Sequence, residues 1–227
     1  MLLALETAND WCSVSLYNGQ QIVAHRQDER SREQTRLILP MIDELLHEQQ
    51  LTLASLQAIA FSRGPGSFSG VRINAAVTQA LAWANDLPVI AVSTLQAVAQ
   101  AAYRLHQYEQ VVVALDARMG EVYSAAFQLN TSGLMHAVSP ELLVAYDEFE
   151  LPILDQFQPV LVGSGSALVA VSHGQLVRKE QVQATSMDIA LLGYAVLQAG
   201  QVVAAHEALP VYLRENAWKK IAQQQGR

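Results

Sequence analysis

The chain has 227 residues, 51% of them hydrophobic, which suffices for one large domain or two small ones sharing an interface. Its 14 basic residues against 21 acidic ones give a net charge of −7, so the surface as a whole repels a phosphate backbone and unaided tight binding to nucleic acid is excluded. The lone Cys12 excludes an internal disulfide, fits a reducing compartment and reads as a small buried hydrophobe.

The first residues, Met1 to Leu5, reach Glu6 too soon for a signal peptide, and no apolar run approaches the ~20 residues of a membrane span. The expected location is the cytoplasm, with no membrane contact. Leu2 to Leu5 reads as a buried strand. From Cys12 to Tyr17, Cys12, Val14 and Leu16 alternate with Ser13, Ser15 and Tyr17, which predicts a second strand paired with the first. Asn18-Gly19 is a two-residue hairpin turn of the favoured kind, and Gln20 to His25 supplies a third strand. From Glu33 to Gln49 the apolar residues Leu37, Ile38, Met41, Ile42, Leu45 and Leu46 form two adjacent helical stripes, more than one contact consumes. Pro40 lies inside that pattern and predicts a kink or a late helix start.

Leu56 to Phe61 reads as a strand, followed by Arg63-Gly64-Pro65-Gly66-Ser67-Phe68-Ser69-Gly70, a helix from about Gly70 to Ala84, and a strand from Val89 to Val92. That is a βαβ unit. Glycines that permit close backbone approach, feeding a helix start that Ser67 or Ser69 can cap, make a loop able to hold an anion. It is not a P-loop, because no lysine follows Gly70. Ser93-Thr94 opens a further helix through Ala102, and Val111 to Leu115 starts a strand ending on Asp116. The pattern then begins again: Val122 to Leu129 alternates, Gly133 marks a turn, Leu142 to Ala145 is a strand, Val160 to Val162 runs into Gly163-Ser164-Gly165, and Met187 to Gln198 is helical. Two halves, each opening with a strand that closes on an acidic residue, Glu6 and Asp116, predict a duplicated α/β fold divided near Ala102 to Gln110, with a frayed tail from Gln223 to Arg227.

Four segments read in order, Leu3-Ala4-Leu5-Glu6-Thr7-Ala8, Arg63 to Arg72, Asp116-Ala117-Arg118-Met119-Gly120-Glu121-Val122-Tyr123 and Pro210-Val211-Tyr212-Leu213-Arg214, resemble the TsaB family, formerly YeaZ. The resemblance runs the length of the chain. It implies an actin-like ATPase (ASKHA) fold of two RNase H-like lobes, mixed sheets flanked by helices, with lobes over 1–104 and 105–227 and a last segment able to return to the first lobe. It also implies a subunit with no catalytic residues of its own. Such a subunit pairs with the catalytic paralogue TsaD and the ATPase TsaE to place a threonylcarbamoyl group on N6 of adenosine 37 in tRNAs reading codons that begin with A. The donor, threonylcarbamoyl-adenylate, comes from a separate enzyme. Alone, the subunit forms a homodimer through the surface that otherwise takes TsaD. It meets tRNA only through the complex and binds no cofactor alone, which leaves ATP or ADP at the interface with TsaD. Two positions depart from the family pattern: Glu6 stands where Asp is usual, and Gln34 where histidine is frequent.

The chemistry weighs as follows. No two of the six histidines are four residues apart, so neither HExxH nor HxxxH exists, and a metalloprotease has no ligand set: no metal is expected. A nucleotide-dependent phosphotransferase or ATPase would draw on Glu6, Asp116 and Gly163-Ser164-Gly165, whereas Glu6, Thr7, Gly64, Gly66, Ser67, Asp116, Arg118 and Glu121 are the residues expected at an interface nucleotide or the cleft between lobes. Yet Thr7 to Cys12 has no glycine to wrap a phosphate, and Gly163 to Gly165 reads as a strand-to-helix turn. Arg118 and Glu121 either brace a salt-bridged turn or line that cleft. The partner face is expected on Leu37, Met41, Leu45, Ile73, Val77, Ala76 and Ala80. There, small side chains admit another helix, and two such helices against two of a partner make a four-helix interface; the alternative is that both stripes are covered within the monomer. Arg214 with Lys219, Lys220 and Arg227 is a local basic concentration, either a solvated tail or a contact for tRNA or an acidic partner.

Overall fold

The computed structural model describes residues 1–151, 160–171 and 177–214. Its first sheet opens with an antiparallel meander, β1 (Leu2–Glu6), β2 (Cys12–Tyr17) and β3 (Ile22–Asp28). Parallel strands β4 (Ala58–Ser62) and β5 (Val89–Val92) extend it beyond β1, in the order β3-β2-β1-β4-β5. Helices α1 (Gln34–Glu48) and α2 (Phe68–Ala84) bracket β4 in sequence, and α3 (Thr94–His106) follows β5.

The second sheet repeats the scheme. Antiparallel β6 (Gln110–Arg118) and β7 (Glu121–Leu129) stand at its centre, and β8 (Met135–Ala137) and β9 (Leu142–Ala145) divide the far edge of β7. On the other side of β6 lie parallel β10 (Val160–Val162) and β11 (Arg178–Lys179). With β6 in the place of β1, strand order and strand directions match those of the first sheet. The predicted duplication is therefore present.

The helix after the fifth strand of each sheet crosses to the other one. α3 lies on β6, β7 and β8, whereas α4 (Ser186–Gln198) lies on β1, β2, β4 and β5. Gly193 makes this possible, since a Cβ there would stand 2.7 Å from the Cβ of Ala60. The crossing explains the serines of β2, a strand buried on both faces. Cys12, Val14 and Leu16 join the core with α1. On the opposite face Ser13 accepts from the Ser186 amide at 2.9 Å, Ser15 Oγ bonds Ser186 Oγ at 2.7 Å, and Tyr17 meets Tyr194 edge-on at 5.2 Å. At the crossing, Arg104 Nε and Nη2 each donate at 2.9 Å to the buried Asp188 carboxylate.

Local expectations change at several elements: β4 begins at Ala58 instead of Leu56, α2 at Phe68 instead of Gly70, and α3 runs on to His106. α1 runs uninterrupted from Gln34 through an exposed Pro40, so the helix does not start late. A proline on the solvent side frees a carbonyl that water can serve. The third strand begins two residues later than predicted and reaches Asp28. After Gly163-Ser164-Gly165 the chain continues in turns instead of a helix. Gly165 is needed for packing: a Cβ there would stand 2.6 Å from the Val122 side chain. The expected frayed tail and the residues Lys219, Lys220 and Arg227 lie outside the described residues, as does Trp218.

Candidate functional site

The glycine-rich loop receives the chain's own backbone. Ser67 N–H, the first amide an anion would take, donates to the Ala8 carbonyl at 2.7 Å, and Thr7 Oγ1 donates to the Gly70 carbonyl at 2.8 Å. A Cβ on Gly66 would lie 2.5 Å from the Ala8 oxygen, and one on Gly70 would overlap the Thr7 carbonyl. Gly64 holds φ +95° with Val211 close against it, a conformation glycine adopts without strain. Ser67 caps α2 by accepting from the Gly70 amide at 3.4 Å. Gln34 anchors the same hairpin loop from α1, its Nε2 donating to the Asn9 and Asp10 carbonyls at 3.2 and 3.3 Å. Asn9 Nδ2 fixes the loop to the Ala184 carbonyl at 2.8 Å. The concave backbone that reads as an anion cradle is thus filled by Thr7 and Ala8.

Glu6 is sealed beneath this arrangement, with no surface exposure. Its Oε1 accepts from the Ala8 amide at 2.5 Å, while Oε2 has no hydrogen-bond partner among the described residues. Burial pushes its pKa up to about 7, against the opposing pull of backbone hydrogen bonding. One oxygen of this carboxyl is spent on the Ala8 amide, and the whole group is closed off from solvent.

The second acidic strand end is a braced turn. Asp116 Oδ1 accepts from Tyr146 Oη and from the Arg118 amide, both at 2.8 Å, and Asp116 Oδ2 pairs with Arg118 at 3.0 Å. Glu121 pairs with Arg214. Arg118 and Met119 both hold left-handed backbone, at φ 62° and 60°, around an exposed tip. Among the described residues, no three His, Cys, Asp or Glu side chains come together as a metal group.

The partner-face residues divide in two. Met41 and Leu45 are buried in the core between α1 and the first sheet, which corrects their placement on an outward stripe. Leu37, Ile73 and Val77 are half-buried against that same core, so part of both stripes is consumed within the chain. Ala76 and Ala80 are exposed. With Gln79, Trp83, Ala205 and His206 they line a groove of about 450 Å³. Trp83, 72% exposed, escaped the sequence reading because an alanine-rich helix draws attention to its small residues. A large aromatic in the last turn, on the face of Ala76 and Ala80, was the available signal.

The TsaD family model, tRNA N6-adenosine threonylcarbamoyltransferase, matches residues 22–158. The tRNA threonylcarbamoyladenosine biosynthesis protein TsaB of Escherichia coli is 37% identical over 97% of both chains, and that of Haemophilus influenzae is 40% identical over 97% of this chain and 96% of its own. The solved structure of YeaZ from Pseudomonas aeruginosa superimposes with a TM-score of 0.86 at 35% identity, covering 93% of this chain and 99% of that one. A filled glycine loop, a sealed Glu6 and an exposed α2 face thus sit in a chain that belongs to the TsaB family.

Proposed function

We propose that this chain acts in tRNA threonylcarbamoyladenosine biosynthesis as a noncatalytic scaffold. In this reading it heterodimerises with TsaD, activates it and works together with TsaE, so that N6 of adenosine 37 is threonylcarbamoylated in tRNAs reading codons that begin with A. Membership of the TsaB family supports the pathway. The observation that carries the noncatalytic role is the filled loop: the Ser67 amide is spent on the Ala8 carbonyl, and Glu6 is enclosed. Preorganised donors aimed at a phosphate are what phosphoryl transfer requires, and here they point at protein.

The docking face is the outer side of α2, where Ala76 and Ala80 let a helix backbone approach and Trp83 supplies a large apolar anchor. ATP or ADP, where it binds, sits at the interface with TsaD; free chain pairs with itself through the same face. The test is reconstitution. Purified chain alone is expected to turn over no ATP and to modify no tRNA, whereas addition to TsaD and TsaE restores modification. ATP turnover by the isolated chain that Asp116→Ala abolishes would overturn the proposal in favour of a phosphotransferase.

A further inference from the structure

Residues 199–214, beyond α4, take no part in either sheet's main pairing, yet they are tied down along their length. Val203 and Val89 exchange N–H···O bonds of 2.9 Å in both directions at the edge of the first sheet. After a 3-10 turn at Ala205–Glu207, the backbone crosses α2. Gln79 Nε2 donates to the Ala208 carbonyl at 3.2 Å, and the Val211 amide donates to the Arg63 carbonyl at 2.8 Å. Arg72 Nε donates to Tyr212 Oη at 2.8 Å while its guanidinium lies 3.5 Å from the centre of the Phe68 ring. The segment's last described residue, Arg214, reaches the second lobe. There Arg214 donates to the Ala117 and Arg118 carbonyls at 3.1 and 3.2 Å and pairs with Glu121.

Arg72, Ala76, Gln79, Ala80 and Trp83 recur at helical spacing and share one face of α2. This strap therefore grips α2 at Arg72 and Gln79, on the face that carries the groove, and its own Ala205 and His206 form the groove's other wall. We infer that the docking surface has two walls, α2 and the strap 203–214, and that a TsaD helix lodged between them is registered by the β6–β7 hairpin through Arg214. This rests on the TsaD reading above. A helix is the fitting occupant because the floor is alanine. TsaD is the fitting source because its family model covers α1 and α2, so the paralogue brings an equivalent helix pair. Because the bonds at Ala208, Val211 and Tyr212 fasten the strap to α2 and to the loop before it, a shift of α2 carries the strap with it, and Arg214 is the strap's one side-chain anchor on the hairpin among the described residues.

The experiment reads hydrogen exchange at residues 117–121 with and without saturating TsaD. Binding is expected to change exchange there by about threefold or more in the unaltered chain and to leave it unchanged in Arg214→Ala, which still forms the heterodimer. Leu209→Glu, on the exposed side of the strap, is expected to weaken TsaD binding by about tenfold or more. An unresponsive hairpin in the unaltered chain, an undiminished response in Arg214→Ala, or full affinity in Leu209→Glu overturns the inference. If Arg214→Ala does not fold, Glu121→Gln weakens the same anchor and is read in its place.

If TsaD does not bind at all, the docking reading fails and the strap is judged in the free chain. Spin labels at Asp43→Cys and Ser132→Cys then report the distance between lobes. Arg214→Ala is expected to broaden that distribution, and an unchanged one refutes the tie.

Discussion

Replacing Glu6 by glutamine should make the protein more stable at neutral and alkaline pH. The folded-state pKa is raised to about 7 from an ordinary value of 4.5, with burial as the main cause. Below pH 4.5 the group is protonated whether the chain is folded or not, and it adds no pH dependence. Between pH 4.5 and 7 the unfolded chain ionises while the folded one keeps its proton, so stability falls as pH rises; above pH 7 the loss levels off. A shift of this size corresponds to about 3 kcal/mol when both states are ionised, and no solvent screening reduces it because the group is fully enclosed. Glutamine keeps the acceptor for the Ala8 amide and carries no charge at any pH. Urea unfolding at pH 8 should therefore show Glu6→Gln ahead by about 3 kcal/mol, or a melting point roughly 6 to 12 °C higher, and at pH 5 ahead by under about 1 kcal/mol. The ionisation argument fails if the two proteins keep a constant difference between pH 5 and pH 8.

Gly70→Ala should cost about 3 kcal/mol or more, because its Cβ overlaps the Thr7 carbonyl and must move the β1–β2 loop. Gly120→Ala meets nothing within 4 Å and should cost only the left-handed backbone strain of φ +82°, about 1 kcal/mol, so thermal melts of the pair separate overlap from strain. Asp188→Ala leaves Arg104 without its carboxylate at the crossing of α3 and α4 and removes the acceptor of the Thr185 amide, for an expected loss of about 3 kcal/mol. Because Arg104 is partly exposed, water can take over some of its hydrogen bonding and the loss should stay below that of a fully enclosed pair. Trp83→Glu should abolish the heterodimer in light scattering with an unchanged melting point, whereas Leu45→Glu should fail to fold. A stable Leu45→Glu that loses only its partner would restore the outward stripe.

The fold was legible where a local rule had one solution. Alternation over Cys12 to Tyr17 and the serine cap before α3 each fix an element from neighbours in sequence, and β2 and β5 have their predicted limits. The turn at Asn18-Gly19 does not follow its two-residue rule, because Tyr17 pairs with Ile22 and residues 18–21 form the connection. What was not legible is which faces meet. The apolar residues of α1 form two stripes in either case, and only the tertiary arrangement decides that Met41 and Leu45 turn into the core while the exposed groove belongs to α2 and Trp83. What covers the serines on the second face of β2 is α4, which comes from more than 170 residues away in the chain, beyond the reach of any local pattern.

The glycine loop shows why a motif speaks to geometry before chemistry. Glycine at positions 64, 66 and 70 says that something comes too close for a Cβ, and both a phosphate and a peptide carbonyl satisfy that condition. A carbonyl oxygen and a phosphate oxygen are both acceptors, so the donors at a helix start cannot distinguish them by type. What distinguishes them is the length and stiffness of the facing loop. Here Asn9 bonds the Trp11 amide at 2.8 Å in a tight turn, and Gln34 holds the turn's carbonyls from outside. That pins Ala8 in the position an anion would take. A loop held from both sides does not give way without breaking bonds to α1 and to the Ala184 carbonyl, so the need for glycine and the filling of the concave backbone follow from the same contacts.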